Sequence, residues 1–130
     1  MILVDTSIWI DHLRGGDAHL AQLLQRNQVF GHSFVTGAIA LGSLRNRREV
    51  LDALHNLPQA TIATDFEVFE AIERDALFGM GIGFVDAHLL CSVSLSPRYS
   101  RQGTQLWTRD KRLAGLAHAL NFAYQPTPPN

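Results

Sequence analysis

Three aspartates stand at matching places in the chain, each where a short apolar run gives way to polar residues: Asp5 in MILVDTS, Asp86 in GFVDAHLL and Asp110 in LWTRDKRL. Carboxylates far apart in sequence but alike in local setting point to one shared site, and a hard cation is the simplest group that neutralises them together. An oxygen-only donor set suits Mg²⁺, with Mn²⁺ as the close alternative, because such ions bind a few carboxylates, keep several waters and accept phosphate oxygens from a substrate. An ion of this kind activates water and stabilises the charge that develops as a phosphodiester is cleaved. Each aspartate also has a plainer reading. Asp5 and Asp110 stand where a helix N-cap belongs, a role that contributes about 1 kcal/mol. Asp86 fits that reading less well, since it falls inside an apolar helical segment where an unpaired charge is costly. Thr6, Ser7 and Thr108 adjoin these acids, as hydrogen-bonding partners of a carboxylate or as caps.

The elements that must position these acids follow from the apolar pattern. Residues 2–4 are branched and wholly apolar, which predicts a buried parallel strand, and Asp5 to Ser7 then open a helix that Gly15 and Gly16 end. Asp17 is placed to cap a second helix bearing Leu20, Leu23 and Leu24. A short strand is predicted over 28–31, a nearly all-apolar helix over 34–44, and a more polar helix over 45–57 that Pro58 stops. A strand over 60–63 leads to a helix with Asp65 as its cap, and the glycine-rich stretch 78–84 reads as loop. Helix resumes over 85–94. A strand over 105–108, a helix over 110–120 and a strand over 122–124 complete the pattern. Strands separated by helices predict an α/β fold, with a central parallel sheet of four or five strands flanked by helices. In such sheets, sites form beyond the carboxyl ends of the strands, where Asp5 and Asp110 fall.

Composition bounds the rest. A chain of 130 residues with 46% hydrophobic and 18% charged residues fills one core and not two, so a single domain is expected over 1–125, followed by a disordered PTPPN tail over 126–130. The lone cysteine, Cys91, excludes a disulfide framework and reads as a small buried residue. No run reaches the roughly 20 apolar residues of a membrane span, and no signal peptide opens the chain, so a soluble cytoplasmic protein is expected. A net charge of −1 makes any grip on phosphate local.

The stretches MILVDTSIWIDHLR, HSFVTGAIALGSLRNRREVL, GIGFVDAHLL and LWTRDKRL resemble, in order and over nearly the whole chain, the successive motifs of the PIN-domain family, and most closely VapC-type ribonuclease toxins of bacterial toxin-antitoxin pairs. The resemblance implies a single PIN-like domain in which three or four acids hold Mg²⁺ or Mn²⁺ for endonucleolytic cleavage of RNA. It assigns Asp5, Asp86 and Asp110 as catalytic and metal-binding residues. It further implies a VapB-type antitoxin that covers the acidic site, often with a basic side chain among the carboxylates, and a homodimer. In the family the region around Trp9 and the helices after it take part in those partner contacts, which makes the Trp9 region a candidate partner surface.

One corner of the family pattern is vacant. The glutamate expected between the first two acids falls on Ala38, and no Asp or Glu occurs from Asn27 to Arg48. Glu49 is too distant to substitute, since a helix rises about 1.5 Å per residue. Alanine keeps helix propensity while removing the side chain that would act, so weakened cation affinity and cleavage are expected. The alternative function is a catalytically silent module that binds RNA or antitoxin without turnover. A phosphatase or response-regulator-like domain using Asp5 is a weaker third reading, disfavoured by the lack of a cap domain or a switch lysine.

Two basic clusters, Arg45 with Arg47 and Arg48, and Arg109 with Lys111 and Arg112, are candidates for phosphate contact or ordinary solvated faces. The connection SPRYSRQG, though it carries Arg98, Tyr99 and Arg101, belongs at the sheet edge opposite the acids. None of the six histidines pairs at a metal-binding helical spacing, and His88 reads as a packed residue.

Overall fold

A computed structural model describes residues 1–126 of the chain. Residues 127–130, most of the segment read as a disordered tail, lie outside the described residues. Strand β1 (Ile2–Val4) is wholly buried and sits at the centre of a three-stranded parallel sheet ordered β2-β1-β3. Strand β2 (Val29–Phe30) pairs Leu3 with Phe30, and β3 (Gln105–Trp107) pairs Leu3 with Leu106 and Val4 with Trp107. An uninterrupted branched triplet is what a strand covered on both faces requires.

The expectation of four or five strands is corrected to three among the described residues. The segment read as a strand over 122–124 contributes a single bridge, Leu106 with Ala123, and the one read over 60–63 contributes none, the bridge there being Gly31 with the preceding Gln59. Pairing stops there because the next polar groups are spoken for: the Thr61 N–H donates to Ser96 Oγ at 3.0 Å, and Gln105 Nε2 donates to the Ala123 carbonyl at 3.0 Å. Ladders end where side chains satisfy the backbone instead.

Among the described residues, seven helices surround the sheet. Helix α1 (Thr6–Gly15) follows β1 directly, and α2 (Ala18–Gln25) begins at Asp17, whose carboxylate accepts the Leu20 N–H at 2.9 Å as predicted. Helix α3 (Ser33–Ala40) is shorter than the predicted 34–44 and less buried. Val35, Thr36 and Ile39 face the core, whereas Ala38 is exposed and Leu41 is 92% exposed. The early end has a cause: the Arg47 guanidinium donates to the Ala40 carbonyl at 2.6 Å and to Gly42 at 3.3 Å, satisfying carbonyls that a further turn would have used. Helix α4 (Arg47–Asn56) then restarts after Asn46.

Helix α5 (Asp65–Arg74) is capped by Thr64 and not by Asp65. Thr64 Oγ1 accepts the Glu67 N–H at 3.1 Å while Glu67 accepts the Thr64 N–H at 2.9 Å, a reciprocal box that needs a hydroxyl three residues before a glutamate. Asp65 is thereby released to pair elsewhere. Helix α6 (Phe84–Leu95) is buried along Ala87–Val93 and packs on α5, while α7 (Lys111–Ala119) follows β3. Among the described residues, no helix is long and apolar enough to cross a membrane.

Candidate active site

Asp5 and Asp110 leave β1 and β3 at the same end of the sheet, because the two strands are parallel neighbours in register. Each caps the helix that follows. Asp5 Oδ1 accepts the Thr6 N–H at 2.7 Å, and Asp110 Oδ1 accepts the Leu113 N–H at 3.0 Å. The cap role and the site role are therefore compatible, since one oxygen of each carboxylate does the capping and the other is left for something else.

Asp86 also caps, which corrects its reading as an acid stranded within an apolar helix. It lies in the first turn of α6, where Oδ2 accepts the Gly83 N–H at 3.1 Å, and it is half-buried. Partial burial raises its affinity for a proton above that of an ordinary aspartate, the Gly83 bond opposes this, and the carboxylates of Asp5 and Asp110 raise it further.

Thr108 ties two of them together. Its hydroxyl donates to Asp5 Oδ2 at 2.7 Å and accepts the Asp110 N–H at 3.1 Å. Thr6 acts through its backbone alone, and Ser7 is exposed with no side-chain bond among the described residues.

The donor chemistry fits a hard divalent cation. All the offered atoms are carboxylate oxygens, and among the described residues no lysine or arginine forms an ion pair with Asp5, Asp86 or Asp110. The three are not closed into a cage: no group of three His, Cys, Asp or Glu side chains among the described residues converges on an ion position. Mg²⁺ does not demand such a cage, because it binds through one or two carboxylates and retains water.

Position 38 contributes no acid. Ala38 lies on α3 beside Ile10 and Arg14, at a cleft between α1 and the α3–α4 connection. Of the second basic cluster, Arg109 is not free for phosphate: its guanidinium is clasped by Asp11 and by Asp17, the latter at 3.2 Å. Arg112 packs across Gly81, and Lys111 alone is exposed without a partner among the described residues. The 97–104 connection sits before β3, at the end of the sheet away from the aspartates, as predicted, with Tyr99 against Phe30.

Two arrangements went beyond what the sequence indicated. His88 is buried between the rings of Phe34 and Phe84, and its Nε2 meets Asp65 at 3.1 Å while Nδ1 has no partner among the described residues. His32 is buried as well; its Nδ1 accepts the Phe34 N–H at 3.1 Å and its Nε2 bonds Ser92 Oγ at 2.8 Å, linking the start of α3 to α6. Helical spacing from Asp86 does place His88 in the first turns of α6, which was the available hint.

No family model matches the chain. Curated relatives do: the chain is 50% identical over 113 residues to "Ribonuclease VapC32" of Mycobacterium tuberculosis, in strain H37Rv and equally in strain CDC 1551, with 87% of each chain covered. Identity at that level over most of both chains shows the family, and the chain belongs to the VapC family of PIN-domain ribonuclease toxins.

Proposed function

We propose that this protein is the toxin of a toxin-antitoxin pair and a Mg²⁺-dependent endoribonuclease, with Asp5, Asp86 and Asp110 as its metal-binding and catalytic residues. The observation that carries the reading is the joining of Asp5 and Asp110 through the Thr108 hydroxyl at one sheet end, with no arginine or lysine paired to these acids or to Asp86 among the described residues. A bound divalent cation supplies neutralisation of these charges and an acidified water for attack on a phosphodiester. The protein's own residues fix the geometry. Thr108 sets the Asp5 carboxylate, Gly83 sets Asp86, and the Leu113 N–H sets Asp110, so one oxygen of Asp86 and one of Asp110 remain for a ligand. Lys111, beside Asp110, is placed to receive a phosphate.

Ala38 reduces that activity. Removing one of four carboxylates lowers the negative charge that holds a cation, so affinity and cleavage fall together. The second reading is a silent module that retains RNA or antitoxin binding without turnover, and alanine at position 38, where the family pattern has a glutamate, favours it. A VapB-type antitoxin and a homodimer complete the proposal. For the dimer, the support is an exposed apolar face on α5 and the loop before α6, where Phe66, Phe69, Phe78 and Met80 are all at least half exposed.

The experiment is a comparison of the wild-type chain, Ala38→Glu and Asp5→Asn in Mg²⁺-dependent cleavage of bulk RNA. A rise for Ala38→Glu that Asp5→Asn abolishes sustains the nuclease. No cleavage by Ala38→Glu, with RNA binding intact, sustains the silent module.

A further inference from the structure

His88 lies on α6 two residues beyond Asp86 and is 2% exposed. Its ring meets Phe84 edge-on with centroids 4.8 Å apart, and meets Phe34 of α3 at 4.7 Å. The one polar bond it makes among the described residues runs from Nε2 to Asp65 Oδ1 at 3.1 Å, since Nδ1 has no partner there. A carboxylate only accepts, so Nε2 carries the proton in this bond. Leucine would fill the space between two phenyl rings without burying an unpartnered nitrogen, so packing alone does not account for an imidazole. What the imidazole adds is direction.

That direction bears on the first turn of α6, which has little else to hold it. The loop before it turns through Gly79 and Gly81 at φ of +71° and +78°, and Gly83, at the N-cap, has no side chain to bond the helix. Asp86 supplies the missing cap by accepting the Gly83 N–H, so the acid is seated on a residue with no side chain of its own. Asp65 comes from a turn that is already fixed. Thr64 and Glu67 close the cap of α5 between them, which leaves the Asp65 carboxylate for His88. Phe34 stands one helical turn before position 38 on α3. One buried ring on α6 thus meets both α3 and α5, and α3 and α6 carry positions of the acidic site.

We infer that the Asp65–His88 pair is a positioning device for the proposed cation site. It fixes the first turn of α6, and with it Asp86, against the capped end of α5 and against the turn of α3 that leads to position 38. The inference rests on the proposal that Asp86 holds a divalent cation. The pair acts through the backbone of α6, as outer groups that orient a ligand do at metal sites generally.

The test uses the full chain, as wild type and with Ala38→Glu, and reads Mn²⁺ affinity from the electron paramagnetic resonance signal of the free ion. Asp65→Ala and His88→Leu each weaken Mn²⁺ binding roughly tenfold. Asp65→Asn keeps an acceptor for Nε2 and stays within roughly threefold of its parent. The Gly83 amide proton, followed by NMR in the metal-free chain, moves upfield in the first two variants as its bond to Asp86 loosens, which a pair that only stabilises the fold does not cause. Asp65 is exposed, so Asp65→Ala decides the outcome if His88→Leu fails to fold. Unchanged Mn²⁺ affinity in Asp65→Ala overturns the positioning role and returns His88 to the core. Asp65→Asn as weak as Asp65→Ala overturns the hydrogen bond as the cause. Failure of both parent chains to bind Mn²⁺, or binding that Asp5→Asn does not weaken, overturns the cation reading itself; an upfield Gly83 shift in Asp65→Ala then still sustains the pair as what seats Asp86, and an unmoved signal overturns that as well.

Discussion

The Thr108 hydroxyl donates to Asp5 Oδ2 at 2.7 Å, joining the residue after β3 to the residue after β1 across the site end of the sheet. Thr108 Oγ1 also accepts the Asp110 N–H, so one hydroxyl sets the spacing of two acids that are 105 positions apart in sequence. Thr108→Val keeps the shape and removes both bonds. The proposed nuclease activity, measured in an Ala38→Glu background, is expected to fall roughly 10- to 100-fold, with stability lowered by only about 1 kcal/mol. Thr108→Ser restores most of the activity. A Thr108→Val enzyme with unchanged cleavage and Mg²⁺ dependence would show that the hydroxyl is a cap and nothing more.

His32 makes the fold sensitive to acid. Burial, and secondarily the neighbouring His88, lower its pKa from 6.5 to about 4 in the folded chain, where Nδ1 accepts a backbone N–H and must stay unprotonated. The unfolded chain takes up the proton near 6.5, so stability is full above that pH, declines as pH falls, and has lost the whole contribution by about pH 4. The loss amounts to about 3 kcal/mol at most. Urea unfolding at pH 7 and pH 4.5 measures it. In His32→Asn, which retains a capping side chain, the midpoint at pH 7 falls but the difference between the two pH values shrinks; an unchanged difference would assign the acid sensitivity to carboxylates.

The parts of this site that were legible in the sequence are those built from neighbouring residues. An apolar triplet followed by Asp-Thr-Ser specifies strand, cap and helix within a few positions, and the same logic located Asp110. Glycines at 79, 81 and 83 marked the loop before Asp86. What escaped the reading depends on partners distant in sequence. Asp65 looks like a cap until Thr64 and Glu67 close their box and free it for His88, which is 23 residues away. Arg109 looks like a phosphate ligand until α1 and α2 bring Asp11 and Asp17 to it. Helix α3 looks four residues longer because Arg47, which ends it, belongs to the next helix.

That difference between Arg109 and Lys111 predicts opposite behaviour for adjacent cations. Lys111→Gln is expected to weaken RNA binding and reduce the slope of log affinity against log salt by roughly 1. Arg109→Gln leaves the slope unchanged, since its guanidinium is held by two carboxylates, and lowers stability by about 1 kcal/mol or less because the pairs are exposed. Binding of a labelled RNA across a salt series separates the two. A reduced slope for Arg109→Gln would mean that the clasp opens when RNA arrives.

Gly81 carries a constraint that reaches the site through its neighbours. Its φ is +78°, and a Cβ there would lie 2.6 Å from Arg112 Nη1, so alanine meets both a strained backbone and a steric clash. The backbone part costs about 1–2 kcal/mol. The clash falls on the far end of a flexible side chain, which moves at little expense, so Gly81→Ala is expected to destabilise by roughly that backbone amount. Removing the side chain in Arg112→Ala relieves the clash and leaves the φ strain, so the double variant Gly81→Ala with Arg112→Ala loses nearly as much relative to Arg112→Ala alone. Chemical denaturation of the four proteins gives the coupling directly. A coupling well above 1 kcal/mol would mean that Arg112 is not free to move, and that its packing on Gly81 is what holds the loop against α7 between Asp86 and Asp110.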